Sequence, residues 1–218
     1  MKSGGAAPGA AFDPACRRCS RLARFLDDVR AAHPDYYCRP VEPFGQPLHR
    51  LLVVGLAPGL HGANRTGRPF TGDHAGLLLY RTLHALGFAS RAESVSADDG
   101  LKLADCRITN AVKCLPPGNK PLPAEVRQCN RYLERELSAL RPGSVVVALG
   151  AIAHGAVLRA CGLRPATAPF AHGAEHRLPG PLVLLDSFHC SRLNTNTGRL
   201  TPAMFNRVFA RARHLIGA

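Results

Sequence analysis

Uninterrupted apolar runs are few in this chain, and two of them, Leu51-Leu52-Val53-Val54-Gly55-Leu56 and Val145-Val146-Val147-Ala148-Leu149, carry the strongest local signal. Runs of this length and β-branched content predict strands buried on both faces, as in a parallel sheet covered by helices. The expected strands are 51–56, 106–112 (with a polar middle), 144–149 and 182–185. Between them the apolar positions recur at helical spacing. Leu22, Phe25, Leu26 and Val29 mark a helix within 16–32, and the same spacing predicts helices over 76–86, 124–140, 152–161 and 202–215. Pro123 suits the first turn of the third of these. Four strands alternating with helices predict an α/β domain on a four-stranded, mainly parallel sheet covered on both faces. Ligands of such sheets bind beyond the carboxyl ends of the strands. Residues 1–12, small and glycine-rich, are expected to be a disordered tail, leaving 13–218 as a single domain.

Composition narrows the function. The 218 residues are 46% apolar and 20% charged, which suits one globular core and argues against wholesale disorder. No run approaches the roughly 18 apolar residues of a membrane span, and the first residues lack the apolar core of a secretory signal. A cytoplasmic protein is therefore expected. Twenty-eight basic and fifteen acidic residues give a net charge of +13, so nucleic acid leads the list of partners. Only Lys2, Lys102, Lys113 and Lys120 are lysines; the rest are arginines, which suit bidentate phosphate contacts. With no Trp and four Tyr, an aromatic platform for single strands has little support. Nothing in the sequence specifies assembly, and a monomer is the default.

Eight cysteines without an export signal suggest metal ligands or buried thiols rather than disulfides. Cys16 and Cys19 form a C-x-x-C pair. Cys114 and Cys129 form a wider pair flanking the turn-rich segment 115–123. Four thiolates in two pairs accept either Zn²⁺ or a [4Fe–4S] cluster, and spacing alone leaves both open. Cys38, Cys106, Cys161 and Cys190 stand alone and read as buried thiols.

Two loops hold the unusual polar residues. The first runs from Gly55 to Asp73 and contains five glycines, Phe70 and a closing Asp73 that could equally cap the next helix. The second follows the last strand, Asp186-Ser187-Phe188-His189-Cys190-Ser191-Arg192-Leu193-Asn194, and continues to Thr201. Between the two in sequence, Asn110 interrupts an apolar strand, a costly placement unless its amide is paired.

The stretches G-L-A-P-G-L-H-G-A-N-R-T-G-R-P-F-T-G-D (55–73), N-A-V-K-C-L-P-P-G-N-K-P (110–121) and H-C-S-R-L-N-T-N-T-G-R-L-T (189–201) together resemble family 5 uracil-DNA glycosylases. The resemblance runs from about Cys16 to the C-terminal helix. It implies a three-layer αβα sandwich and hydrolytic excision of uracil and other deaminated bases (hypoxanthine, with xanthine as a further candidate) from double-stranded DNA, in the nucleoid. It also implies a [4Fe–4S] cluster on Cys16, Cys19, Cys114 and Cys129. By the same likeness Phe70 stacks on the extruded base, with Gly55 and Ala57 beside it. Asn110 reads the base edge, His189 faces its carbonyl, and Asp73 serves the catalytic water. Arg192 and Leu193 enter the gap left by the flipped nucleotide. Ala57-Pro58-Gly59 stands where many glycosylases carry a polar water-activating residue, and Cys190 where many carry proline.

Several roles stay open on sequence alone. His61 could be catalytic, support a catalytic group or merely line the pocket; Asn64, Arg65, Arg68 and Arg199 could hold phosphate or brace the loop, with Arg199 expected to bind DNA. Asp186 reads as bracing the strand end. The one lysine near the motifs, Lys113, has no lyase role by the resemblance, so hydrolysis without strand cleavage is expected. A zinc deaminase needs an H-x-E before its P-C-x-x-C segment, and none precedes Cys16. A non-catalytic iron–sulfur DNA-binding module fits the charge and cysteines but leaves Phe70, Asp73, Asn110 and His189 without a purpose.

Overall fold

A computed structural model describes residues 11–217. The expected tail lies almost wholly outside the described residues. Strands β1 (Phe44–Gly45), β2 (Leu51–Gly55), β3 (Cys106–Asn110), β4 (Val145–Leu149), β5 (Glu175–Leu178) and β6 (Leu182–Ser187) form one sheet, in the order β1-β3-β2-β4-β6-β5. The four central strands are parallel, as expected; β1 and β5 add antiparallel edges, so the sheet has six strands rather than four. The edges escape sequence reading because β1 is two residues long and β5 is the polar Glu-His-Arg-Leu.

Every residue of β2 and β4 is buried, and the strand period of two sends their side chains into opposite layers. Leu51, Val53, Val145 and Val147 meet α3 (His74–Ala85) and α7 (Pro202–Gly217) through Leu79, Leu83, Phe205 and Phe209. Leu52, Val54, Val146 and Ala148 meet α4 (Pro123–Ser138) and α5 (Ala151–Ala160) through Leu133, Leu137, Ala153 and Val157. At about 1.5–3 kcal/mol per fully buried aliphatic side chain, these two layers are the main source of stability. The resulting αβα sandwich has the class expected.

Two short helices lie in segments read as loops, α2 (Ala63–Thr66) and α6 (Arg192–Asn196). Helix α1 (Ser20–Ala32) begins after the C-x-x-C pair rather than at Cys16. Its Leu22 packs with Val112, Cys129 and Tyr132, and its Leu26 and Val29 with Cys38 and Leu115. The helix therefore covers the segment leaving β3, beside the carboxyl ends of the parallel strands.

Candidate active site

Register brings the first two motif residues together. Gly55 ends β2 directly opposite Asn110, which ends β3. A Cβ on Gly55 would stand 2.5 Å from Phe70 Cζ and closer still to Asn110 Oδ1, so only glycine admits both neighbours. Phe70 is buried and held at φ 55°, a left-handed conformation that costs a bulky residue about 1–2 kcal/mol. The Tyr80 hydroxyl donates to Pro69 O at 2.9 Å, fixing the backbone just before it. The Phe70 ring lies near-parallel to that of His189, with centroids 6.0 Å apart. Burial lowers the pKa of His189 to about 4, so its imidazole is neutral at physiological pH. Asn194 Nδ2 donates to the His189 carbonyl at 2.8 Å and steadies the turn that carries it. Asn110 is 3% exposed, and its Oδ1 has no hydrogen-bond partner among the described residues.

Asp73 does two things at once. Its Oδ1 accepts from Gly76 N at 2.9 Å as the N-cap of α3. Its other side lies against Gly62, where a Cβ would come within 2.8 Å of Asp73 Cβ and Cγ. Burial raises the carboxyl's pKa, against the helix N–H groups that lower it. Asp73, Phe70, Asn110, His189, Ala57, His61 and Arg192 all line one cavity of about 530 Å³ at the strand carboxyl ends. Gly55 does not line the cavity; it lies directly behind Asn110 and Phe70.

The rim separates the basic residues into two groups. Leu193 is 72% exposed in the first turn of α6, beside Arg192. Arg199, also exposed, lies over the Phe188 ring at 4.6 Å. Arg68 and Asn64 are buried and act as braces. Arg68 pairs with Asp99 at 2.6 Å and covers the Phe44 ring, and Asn64 Nδ2 reaches Cys38 Sγ at 3.5 Å. Arg65 is exposed and its Nε donates to His61 O at 2.8 Å. Lys113 is 1% exposed and committed to Glu136 at 2.7 Å and to Thr109. Asp186 does brace the end of β6. It is fully buried, with Oδ1 2.8 Å from His154 Nδ1 and Oδ2 3.1 Å from His176 Nε2. Sequence reading missed both histidines, for nothing local links them to Asp186.

The four paired cysteines converge on one small cavity, with Leu22, Val112 and Tyr132 around them. Ala57 packs against this group while also lining the larger cavity, so the thiols back the candidate active site. Lys113 N–H donates to Cys129 Sγ at 3.3 Å. Burial and the neighbouring sulfurs hold Cys114 protonated in this state, and push the Cys19 pKa to about 11. Among the described residues, the one set of three His, Cys, Asp or Glu ligand atoms mutually within 4.8 Å is His154, His176 and Asp186.

Comparison with known proteins bears on the same residues. The family model of the uracil DNA glycosylase superfamily matches residues 42–213. A type-5 uracil-DNA glycosylase of Thermus thermophilus is 50% identical over 208 residues, covering 93% of this chain and 94% of that protein. One from Pyrobaculum aerophilum is 45% identical over 201 residues, 90% of this chain and 87% of its own. A type-4 uracil-DNA glycosylase of Archaeoglobus fulgidus is 35% identical over 139 residues, 63% of this chain and 56% of its own.

Proposed function

The chain belongs to the uracil DNA glycosylase superfamily, and from that premise we propose that it extrudes uracil from duplex DNA and hydrolyses its N-glycosidic bond. The observation that carries this reading is the buried, unpartnered Oδ1 of Asn110, sharing one cavity with a neutral His189 and the Phe70 ring. An amide oxygen left without a partner costs about 1–3 kcal/mol, a cost that a ligand N–H would remove. Uracil offers such an N–H between two carbonyls. As the bond breaks, negative charge builds on the base and positive charge on the sugar. A neutral imidazole N–H of His189 donates to the base carbonyl, and the outward side of Asp73 orients water and stabilises the cationic sugar.

No lysine reaches this chemistry in the reading, because Lys113 is held in its buried ion pair. The reaction is then hydrolysis alone, and strand breaks should follow only after alkali. Ala57 presents little bulk, and apolar walls discriminate by only about 1–3 kcal/mol for small size differences. Hypoxanthine, and with it xanthine as the larger test, therefore belongs among the substrates. No described helix is long and apolar enough to cross a membrane. A cytoplasmic monomer acting on chromosomal DNA completes the reading.

Cys16, Cys19, Cys114 and Cys129 would hold a [4Fe–4S] cluster. All four converge on one small cavity, and the Lys113 N–H aimed at Cys129 Sγ suits a bound thiolate; both zinc and the cluster accept four thiolates, and the family resemblance favours the cluster. Such a cluster would supply no step of the hydrolysis; it would tie the start of α1 to α4 behind Ala57.

Uracil-, hypoxanthine- and xanthine-containing duplexes, incubated with enzyme and then alkali, test the reading. Cleavage at the modified base is expected, and binding without base release would favour a non-catalytic module. Purified protein should contain iron and sulfide, and a fully active, colourless zinc protein would refute the cluster.

A further inference from the structure

Three aromatic rings that this chemistry leaves unused pack together beside the cavity, and one of them, His61, lines it. His33, just past the end of α1, stacks on Tyr36 with centroids 4.5 Å apart and planes 16° from parallel. His61 stands edge-on to both, at 6.1 Å and 6.0 Å. The Tyr36 hydroxyl lies 2.8 Å from His61 Nδ1, which leaves Nε2 as the ring nitrogen without a partner among the described residues. The backbone of His61 is also held, since Arg65 Nε donates to its carbonyl and Gly62 N to Gly59 O at 3.2 Å. An exposed imidazole whose ring and backbone are both fastened is prepared for a contact rather than placed by packing.

The position says what that contact is. His61 lines the cavity yet is exposed, whereas Asn110 and Phe70 close its buried end. A base extruded into the buried end leaves its sugar and flanking phosphates at the mouth, because the strand continues on both sides. The neighbouring exposed Arg65 makes this part of the rim cationic. We propose that His61 contacts the sugar–phosphate backbone of the damaged strand at the extruded nucleotide through Nε2, with Tyr36 as the positioning residue that orients its ring. The proposal rests on the reading that a base enters this cavity.

The test is a double-mutant cycle of Tyr36→Phe and His61→Ala, on a duplex with one uracil, in single-turnover excision across enzyme concentrations. Tyr36→Phe keeps the ring stacked on His33 and removes only the hydroxyl. Each single variant is expected to raise the half-saturating enzyme concentration about tenfold, the worth of one hydrogen bond, with the saturated rate retained. The double variant should be no worse than His61→Ala, because coupled residues act as a unit. Additive losses, or a fall in the saturated rate at unchanged half-saturation, would overturn the assignment. A wild-type protein that releases no uracil overturns the parent reading instead, and the two failures are thereby distinguished.

Discussion

Replacing Asp73 by asparagine separates the two jobs of its carboxyl group. The helix-capping job survives, since the asparagine side-chain oxygen can take the Gly76 N–H that Oδ1 now accepts at 2.9 Å, and Asn caps as well as Asp. The charge does not survive. Removing a preorganised charge from a water-poor site costs about 2.7–4 kcal/mol of transition-state stabilisation, or roughly 10²–10³ in rate. Stability should move the other way. Burial raises the folded pKa of Asp73, so the contribution it makes is fullest below its unfolded pKa and is lost as pH rises through the folded value. At neutral pH the buried carboxylate is thus a net cost, which asparagine removes. Asp73→Asn should melt at or above the wild-type temperature at pH 7, with the gap closing on acidification. Single-turnover release of uracil and thermal melting, run across pH on both proteins, measure the two effects. In the wild type, excision should fall as pH drops through the raised pKa of Asp73. Near-normal turnover by the Asn variant would reduce Asp73 to a cap and refute the charge argument.

Gly55→Ala should abolish measurable excision, because its methyl would displace Asn110 and Phe70, and overpacking should cost about 1–3 kcal/mol in a denaturant titration. Asp186→Ala removes the acceptor facing both His154 Nδ1 and His176 Nε2 and should lower unfolding free energy by about 1–3 kcal/mol for each buried bond left unmade; a loss below about 1 kcal/mol by urea unfolding would mean the two bonds are dispensable. Arg192→Ala and Arg199→Ala should weaken binding to uracil-containing and undamaged duplex alike and flatten its salt dependence, each by about one counterion. Activity lost without any change in salt slope would place that arginine in the chemistry instead.

The apolar runs at 51–56 and 144–149 were legible because each strand is buried on both faces, and burial on both faces writes itself into consecutive residues. The motif loops were legible for a related reason: each follows a strand end, where a parallel sheet gathers its ligands. Edge strands β1 and β5 left no such mark, since one is too short and the other faces solvent with polar residues. Asn64 and Arg68 stand beside exposed Arg65 in one motif, yet they point inward to Cys38 and Asp99, a choice made by segments far away in sequence. The spacing of four cysteines leaves zinc and an iron–sulfur cluster equally open, and that the two pairs share one cavity is decided by the fold, which brings the start of α1 against α4 and the segment leaving β3. His154 with Asp186, and Tyr36 with His61, are pairs 32 and 25 residues apart. Periodicity reports how one segment meets its surroundings; which two segments meet each other is set by the packing of helices on the sheet, and no local pattern of residues contains it.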